Sequence, residues 1–254
     1  MKPKTRIPFA PALIAAGALL LSACGTSMSF STGDGVPLAE LDYADARPTG
    51  ISLAGPDRVI VTSGDRLTID VEGDSDVTDA LRFELDGDEL EISRDNSWRG
   101  SGKATVRVTM PTPTSLSLAG SGEIELDRLG DGEDADVSIA GSGESTIAHL
   151  DADTLDVSVA GSGSLKAAGK VRMLDLSIAG SGDLDLRRVN VGDADISIAG
   201  SGDAVFASNG RVEASIMGSG DVEVIGNASC SSNSMGSGKL TCRGGAGGGT
   251  AAAE

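Results

Sequence analysis

The sequence predicts an all-β fold, a parallel β-helix or solenoid with coils of about 20 residues. Gly-Ser-Gly recurs seven times in the second half of the chain at intervals of 18 to 21 residues, and apolar residues alternate with small polar ones before each copy. Such alternation is typical of a strand with one buried face. Aromatic residues make up 2% of the chain, so the core should be aliphatic. The copies begin at Gly120, Gly141, Gly161, Gly180, Gly200, Gly218 and Gly236.

The first 23 residues have the features of a bacterial signal peptide. Basic residues precede the apolar run at 7–21, and the segment ends in Leu-Ser-Ala-Cys. This ending resembles the lipoprotein box, in which the cysteine, here Cys24, becomes the lipidated first residue. We therefore expect removal of residues 1–23 and attachment of palmitate and other lipid to Cys24. Because Gly25 is not acidic, we expect an outer-membrane lipoprotein whose membrane contact is this lipid.

The rest of the chain is strongly acidic, and its composition distinguishes a tether, a domain and a tail. The formal net charge is −18 at pH 7, and it becomes −21 without residues 1–23, which carry three basic residues and no acidic one. This charge repels nucleic acid, so we expect no nucleic-acid partner. Residues 24–37 read as a flexible tether and residues 244–254 as a disordered tail. Residues 38–243 then form one β-helix domain.

The domain has an irregular and a regular part. Residues 51–118 contain strand-like segments, and Ile-Ser-Leu-Ala-Gly at 51–55 repeats the later strand pattern in diverged form. Terminal repeats of a solenoid commonly diverge in this way. We therefore expect irregular first coils at 51–118 and regular Gly-Ser-Gly coils at 119–243, without a domain boundary between them.

Each regular coil has three short sides. A strand before the glycines points Ile196 and Ile198 to one face and Ser197 to the other. A second strand follows the glycines, and a third, less regular side carries Leu129, Leu150, Val171, Val189 and Val212. Stacking of the coils would align one buried column, formed by Ile139, Val159, Ile178, Ile198 and Ile216.

The glycines should mark a corner of each coil, where a positive φ or a close approach of two coils excludes a Cβ. An antiparallel meander, with a hairpin turn at each Gly-Ser-Gly, is the alternative. Similar residue types recur at each position of the coil, which favours stacking of like on like and therefore the β-helix.

Three segments and the repeat together resemble a known bacterial family. The segments are Asp-Arg-Leu-Thr-Ile at 65–69, Asp-Glu-Leu-Glu-Ile at 88–92 and Val-Arg-Val-Thr-Met-Pro at 106–111, followed by repeats of Ser-Ile-Ala-Gly-Ser-Gly-Asp. Over residues 47–243 the sequence resembles the putative auto-transporter adhesin, head GIN domain family. The resemblance implies a single-stranded right-handed β-helix in a protein of the cell envelope, and it carries no catalytic residue.

Two columns of acidic residues flank the glycines. The first contains Asp136, Asp156, Asp175, Asp195 and Glu213, and the second contains Glu123, Glu144, Asp183, Asp203 and Asp221, interrupted by Ser164. At a strand spacing of about 4.8 Å, neighbouring carboxylates repel by about 0.9 kcal/mol even in water. Calcium prefers such hard oxygen ligands, so the first column is a candidate cation ladder. A solvated, salt-screened surface without bound ions is the alternative.

Nothing in the repeat singles out a catalytic residue. Coil lengths differ by only three residues, so no long loop is available to wall a cleft, and His149 is the one histidine. We predict a non-catalytic, adhesin-like or scaffold protein of the cell envelope, with an unknown envelope partner and no cofactor other than the candidate calcium. A carbohydrate-active lyase or hydrolase on a β-helix is the alternative, since paired carboxylates can hydrolyse a glycoside.

Cys230 and Cys242 are the cysteines that remain after Cys24. Exported proteins fold in an oxidising compartment, where two cysteines often pair. Both occupy inward positions of the last coils, where Ser232 and Ser234 replace the usual aliphatic residues. We expect a disulfide that closes the final coil, with two buried thiols as the alternative.

Overall fold

The fold is seen in a computed structural model that describes residues 35–244. The predicted signal peptide, Cys24 and most of the predicted tether and tail lie outside the described residues. A short 3-10 turn spans Leu38–Glu40, and a single-turn helix, α1, spans Ser75–Thr78. The strands are β1 (Gly50–Gly55), β2 (Arg58–Ser63), β3 (Thr68–Glu72), β4 (Leu81–Asp86), β5 (Glu89–Arg94), β6 (Thr105–Met110), β7 (Ser115–Gly120), β8 (Glu123–Gly141), β9 (Glu144–Gly161), β10 (Ser164–Gly180), β11 (Asp183–Gly200), β12 (Asp203–Ser208), β13 (Arg211–Gly218), β14 (Asp221–Ile225), β15 (Ser229–Gly236) and β16 (Lys239–Arg243).

The strands stack in parallel from coil to coil, which confirms the β-helix. Side one of the solenoid is formed by β1, β7, the last residues of β8 to β11, and then β13 and β15. Side two is formed by β2, the first residues of β8 to β11, and then β12, β14 and β16. An antiparallel meander does not fit, because neighbouring coils pair in parallel. Within the described residues, no helix is both long and apolar enough to cross a membrane.

The buried column predicted from the repeat is present on side one. Neighbouring coils align Ile139, Val159, Ile178, Ile198 and Ile216, and each of these side chains is at most 2% exposed. Leu53 and Leu118 extend the column toward the N-terminal end. Burial of each such aliphatic side chain stabilises the fold by about 1.5–3 kcal/mol.

At the coil corner the first glycine of each Gly-Ser-Gly has a φ between +108° and +137°. A Cβ on Gly180 would also lie 2.2 Å from the main-chain oxygen of Gly161 in the preceding coil. Gly182, the second glycine, faces inward, where a Cβ would lie 2.6 Å from a methyl carbon of Val159. The positive φ and the close approach of two coils therefore both favour glycine at the first position. Core packing explains the glycine at the second position.

The N-terminal end is closed by a cap within the predicted irregular coils. After β2, the strand β3 pairs antiparallel with β6, and β4 pairs antiparallel with β5. β5 and β6 then stack in parallel on the outer edges of β1 and β2, so the order of the strands here differs from their order in the chain. Val36 exchanges two main-chain hydrogen bonds with Phe83 of β4 and covers part of the outermost edge.

A buried ion pair ties this cap to the first corner. The carboxylate of Asp57 is 1% exposed and accepts hydrogen bonds from the Arg94 guanidinium and, at 2.7 Å, from the main-chain N–H of Ala104. The Arg94 guanidinium lies 4.2 Å from the ring centroid of Trp98, which is half-buried. Trp98 therefore packs within the cap, and Phe206, in the regular coils, is fully buried in the core.

The prediction for side three was wrong in its register. Leu129, Leu150 and Val189 share a column with Gly169, whereas Val171 aligns with Ala152 and Val191, and Val212 aligns with Ala194. Register shifts occur where the chain passes from side two to side three. Sides one and two have a constant length, so side three and its corners take up the differences in coil length.

Candidate functional site

The first acidic column lies on the outer surface of side one. Parallel register aligns Asp136, Asp156, Asp175, Asp195 and Glu213 from coil to coil. Burial raises the pKa of Asp136, and the charge of Asp156 raises it further. Burial also raises the pKa of Asp156, followed by the charges of Asp175 and Asp134. The fold therefore keeps these carboxylates close together despite their mutual repulsion.

A shallow groove of about 380 Å³ follows the C-terminal half of this column. Its walls include Asp175, Asp195 and Glu213 together with hydroxyl groups of the neighbouring serine column, such as Ser197 and Ser215. Within residues 35–244, no three Asp, Glu, His or Cys side chains converge in a way that could hold a metal ion. The calcium ladder therefore stays a prediction.

The second acidic column, on side two, is neutralised at one end by basic side chains. Arg58 forms ion pairs with Glu123 and Glu125, and Lys166 forms one with Glu144. Burial raises the pKa of Glu123, and the neighbouring carboxylates of Glu125 and Glu144 add to the effect, while Arg58 opposes it. These basic residues come from other coils, so their pairing cannot be read from the repeat.

Beyond Lys166 the same side forms a wider groove, which we call the side-two groove. It has a volume of about 620 Å³ and runs across β10, β11, β12, β14 and β16. Asp185 pairs with Arg187 and Glu223 with Arg243 along one margin, at 3.2 Å and 3.1 Å. Three carboxylates on its opposite margin lack a basic side chain within ion-pair distance among the described residues, namely Asp183, Asp203 and Asp221.

Main-chain groups stabilise two of these three carboxylates. The N–H of Asp221 donates to the Asp203 carboxylate at 2.7 Å, and the N–H of Lys239 donates to the Asp221 carboxylate at 3.1 Å. Such charge-assisted bonds are about twice as strong as neutral ones. Each carboxylate keeps its second oxygen for solvent or a ligand. Sequence reasoning missed this groove, because its basic residues, Lys166, Arg187, Lys239 and Arg243, follow no repeat along the chain.

The remaining candidate residues lie apart from both grooves. His149 is exposed on the surface, with its Nδ1 3.3 Å from the main-chain oxygen of Asp127. Cys230 of β15 and Cys242 of β16 form a disulfide across the last coil, with Cα atoms 6.7 Å apart. Ser232 and Ser234 are half-buried beside it, in register with Ala214 and Ile216. Cys24 lies outside the described residues.

Comparison with known families gives one assignment. A family model described as "Putative auto-transporter adhesin, head GIN domain" matches residues 47–228. This span exceeds half of the chain and covers the strands from β1 to β14, while β15 and β16 of the last coil lie beyond it. A search of curated proteins found no match.

Solved structures of three bacterial proteins share the fold. A putative adhesin from Bacteroides fragilis superposes with a TM-score of 0.72 at 20% identity, covering 79% of this chain and 94% of that one. A putative lipid binding protein from Parabacteroides distasonis has a TM-score of 0.60 at 22% identity, with 78% and 93% covered. A putative adhesin from Parabacteroides merdae has a TM-score of 0.56 at 17% identity, with 78% and 92% covered. At these identities the similarity shows the fold alone.

Proposed function

Because the chain belongs to the putative auto-transporter adhesin, head GIN domain family, we propose that it is an adhesin-like, non-catalytic binding protein of the cell envelope. A lipid on Cys24 would hold it on the outer membrane, and the rigid β-helix would carry its binding surface. The lipoprotein box at residues 21–24 supports the anchor.

The observation that carries this proposal is the placement of polar side chains on a solenoid without large insertions in its regular coils. The coils that strands β8 to β16 form follow one another directly. Their grooves are lined by residues that recur from coil to coil. Such a surface is long, shallow and repetitive, which suits contact with an extended partner better than enclosure of a small substrate. We therefore assign binding rather than catalysis to it.

The side-two groove is the part of this surface that we propose for partner binding. Asp183, Asp203 and Asp221 form an unneutralised margin opposite the pairs that Asp185 and Glu223 make with arginines. Complementary charge across an interface governs the rate and specificity of association more than its affinity. We expect a partner that presents basic groups along this margin.

Adhesion by cells that produce the full chain tests the proposal. Cells with the wild-type protein should adhere to a surface that presents basic groups more strongly than cells without it. The Cys24→Ser variant should appear in the soluble fraction and lose this gain. Equal adhesion with and without the protein would refute the proposed function.

A matched pair of variants tests the groove separately. The double change Asp203→Asn and Asp221→Asn removes two charges but leaves amide oxygens that still accept the main-chain N–H groups, so the fold should persist. Adhesion should fall, and it should become less sensitive to salt. Asp175→Asn with Asp195→Asn makes the same change in charge on side one and should leave adhesion unchanged.

A further inference from the structure

The two ends of the solenoid differ in how their strand edges are covered. At the N-terminal end the outermost strands are β3 and β4. Val36 covers part of β4, and β3, which pairs only with β6 among the described residues, carries the exposed charges of Asp70 and Glu72. At the other end, β15 pairs with β13 and β16 with β14, and the outer edges of β15 and β16 pair with no strand among the described residues. We call these outer edges the C-terminal edge. Natural proteins usually protect such edges with charge, proline or a covering segment.

The main-chain groups of β15 leave donors and acceptors at this edge. The N–H of Ser229 donates to Gly210 of the preceding coil at 2.8 Å. Hydrogen bonding alternates along a strand, so the main-chain N–H and C=O groups of Cys230, Ser232 and Ser234 point away from β13, toward the C-terminal edge. The eight residues of β15 contain no charge and no proline. The edge is thus chemically able to accept another strand.

Charge distinguishes this end from the rest of the molecule. Residues 226–243 contain no Asp or Glu, and they contain Lys239 and Arg243, in a chain of net charge −18. The N-terminal end, in contrast, exposes many carboxylates, among them those of Asp70, Glu72, Asp74, Asp76 and Asp79. Sides one and two carry the acidic columns. A second copy of this acidic chain would meet the least repulsion at the C-terminal edge.

Exposed apolar side chains are found at the same end. Among the described residues, the exposed large hydrophobic side chains are Met217, Ile225 and Met235, at 56%, 40% and 71% exposure. All three lie in the last two coils, and Met217 and Met235 are neighbours in register. In earlier coils, alanine occupies this position, for example Ala179 and Ala199. Two methionines therefore replace alanine only where the solenoid ends.

We propose that the C-terminal edge binds the C-terminal edge of a second copy of this chain, end to end. A two-fold axis would set the two β15 strands antiparallel, so that each supplies main-chain partners to the other and the methionines become less exposed. The nearest acidic rows would be separated by about three strand spacings, or about 14 Å. This exceeds the Debye length of about 8 Å at physiological salt, so repulsion between the rods is screened.

The inference rests on the proposed function in one respect, the direction of the rods. If a lipid anchors the N-terminal end, the C-terminal edges of two molecules on facing cells point toward each other. The partner of the adhesin would then include the same protein on a neighbouring cell. The pairing itself is independent of adhesion and can be measured in solution.

Sedimentation of the purified full-length lipoprotein in detergent tests the pairing. The wild-type protein should show a reversible monomer–dimer equilibrium. Asn233→Asp places a carboxylate on β15 beside the partner strand and should raise the dimer dissociation constant at least about tenfold. Ser215→Asp is the matched control, because it adds the same charge to the same face one coil inward, and it should change the constant by less than about threefold. Melting curves should verify that both variants fold.

Several outcomes would overturn the proposal. A wild-type monomer at every concentration, or equal dimerisation of wild type and Asn233→Asp, would contradict it. If only a chain that ends at Gly244 dimerised, residues 245–254 would be the occupant of the edge instead. Loss of cell–cell clumping in Asn233→Asp with unchanged adhesion to basic surfaces would agree with the pairing, whereas absent dimers with intact adhesion would leave only the proposed function standing.

Discussion

The first glycine of each corner is subject to two separate constraints. Its positive φ is unfavourable for any residue with a Cβ, and the preceding coil leaves no room for one. The serine between the glycines is different, since its side chain is exposed and its N–H donates to the preceding coil. The repeat therefore conserves main-chain geometry at the corner rather than a set of ligand-binding side chains.

Gly180→Ala tests this interpretation. The added Cβ would lie 2.2 Å from the oxygen of Gly161, so neighbouring coils must separate locally. We expect a loss of at least about 2 kcal/mol in the free energy of unfolding, measured by urea denaturation. Ser181→Ala, in the same corner, should stay within about 0.5 kcal/mol of the wild type. Equal effects of the two changes would argue against the close approach of the coils.

Asp57 holds the cap in place through polar contacts, because its carboxylate pairs with Arg94 and accepts a hydrogen bond from the N–H of Ala104. Removing one partner of a buried ion pair leaves the other charge buried without compensation. We expect Asp57→Ala to cost about 3–5 kcal/mol of stability in thermal or urea denaturation. Glu72→Ala removes an exposed pair with Arg107 in the same cap and should cost less than about 1 kcal/mol. A mild Asp57→Ala variant would show that the cap does not depend on this pair.

At the scale of the strands, the acidic column of side one opposes folding, because folding brings its carboxylates together. Asp156 lies between Asp136 and Asp175, and each neighbour contributes repulsion of about 0.9 kcal/mol before screening. Burial and these charges raise the pKa of Asp156 in the folded protein. Between its ordinary pKa of 3.8 and the raised value, the folded state binds more protons than the unfolded state. Stability from this group therefore falls as pH rises through that window.

Asp156→Asn should remove this effect. At pH 7 we expect an increase in stability of about 1 kcal/mol, seen as a rise in Tm of about 2–4 °C. The gain should shrink as the pH is lowered below the window, because wild-type Asp156 is then also neutral. Calcium should raise the Tm of the wild type more than that of the variant if the column binds the ion. A lower Tm for Asp156→Asn in calcium-free buffer would contradict the repulsion argument.

The whole molecule should tolerate the loss of an entire coil, because each coil contacts chiefly its two neighbours. Deletion of residues 162–180 joins Gly161 to Ser181 and restores Gly-Ser-Gly. The columns of sides one and two then realign one coil further along. We expect a folded β protein by circular dichroism with a reduced but cooperative melting transition. Deletion of residues 162–171 removes the corner and the side-two segment of one coil but keeps its side one, so this shorter deletion should prevent folding.

The sequence was sufficient to predict sides one and two, because identical constraints recur every 18 to 21 residues. The alignment of Asp136 with Asp156 and the burial of Ile178 both follow from that period. The cap has no repeat, and its central pair, Asp57 and Arg94, is separated by 37 residues without a local pattern. The side-two groove depends on which coil supplies each basic side chain. Side three varies in length, so its register could not be inferred from composition.

The disulfide of the last coil has a mechanical consequence. If a lipid on Cys24 anchors the chain, as proposed, a load between this anchor and a contact at the other end runs along the solenoid axis, parallel to the hydrogen bonds between coils. Strands loaded in this direction unzip one after another, starting from an exposed terminus, because the hydrogen bonds break one at a time. The bond between Cys230 and Cys242 closes the first loop that such peeling would draw out. Under tension, the final coil can detach from its neighbour, but its closed loop cannot extend into a longer thread.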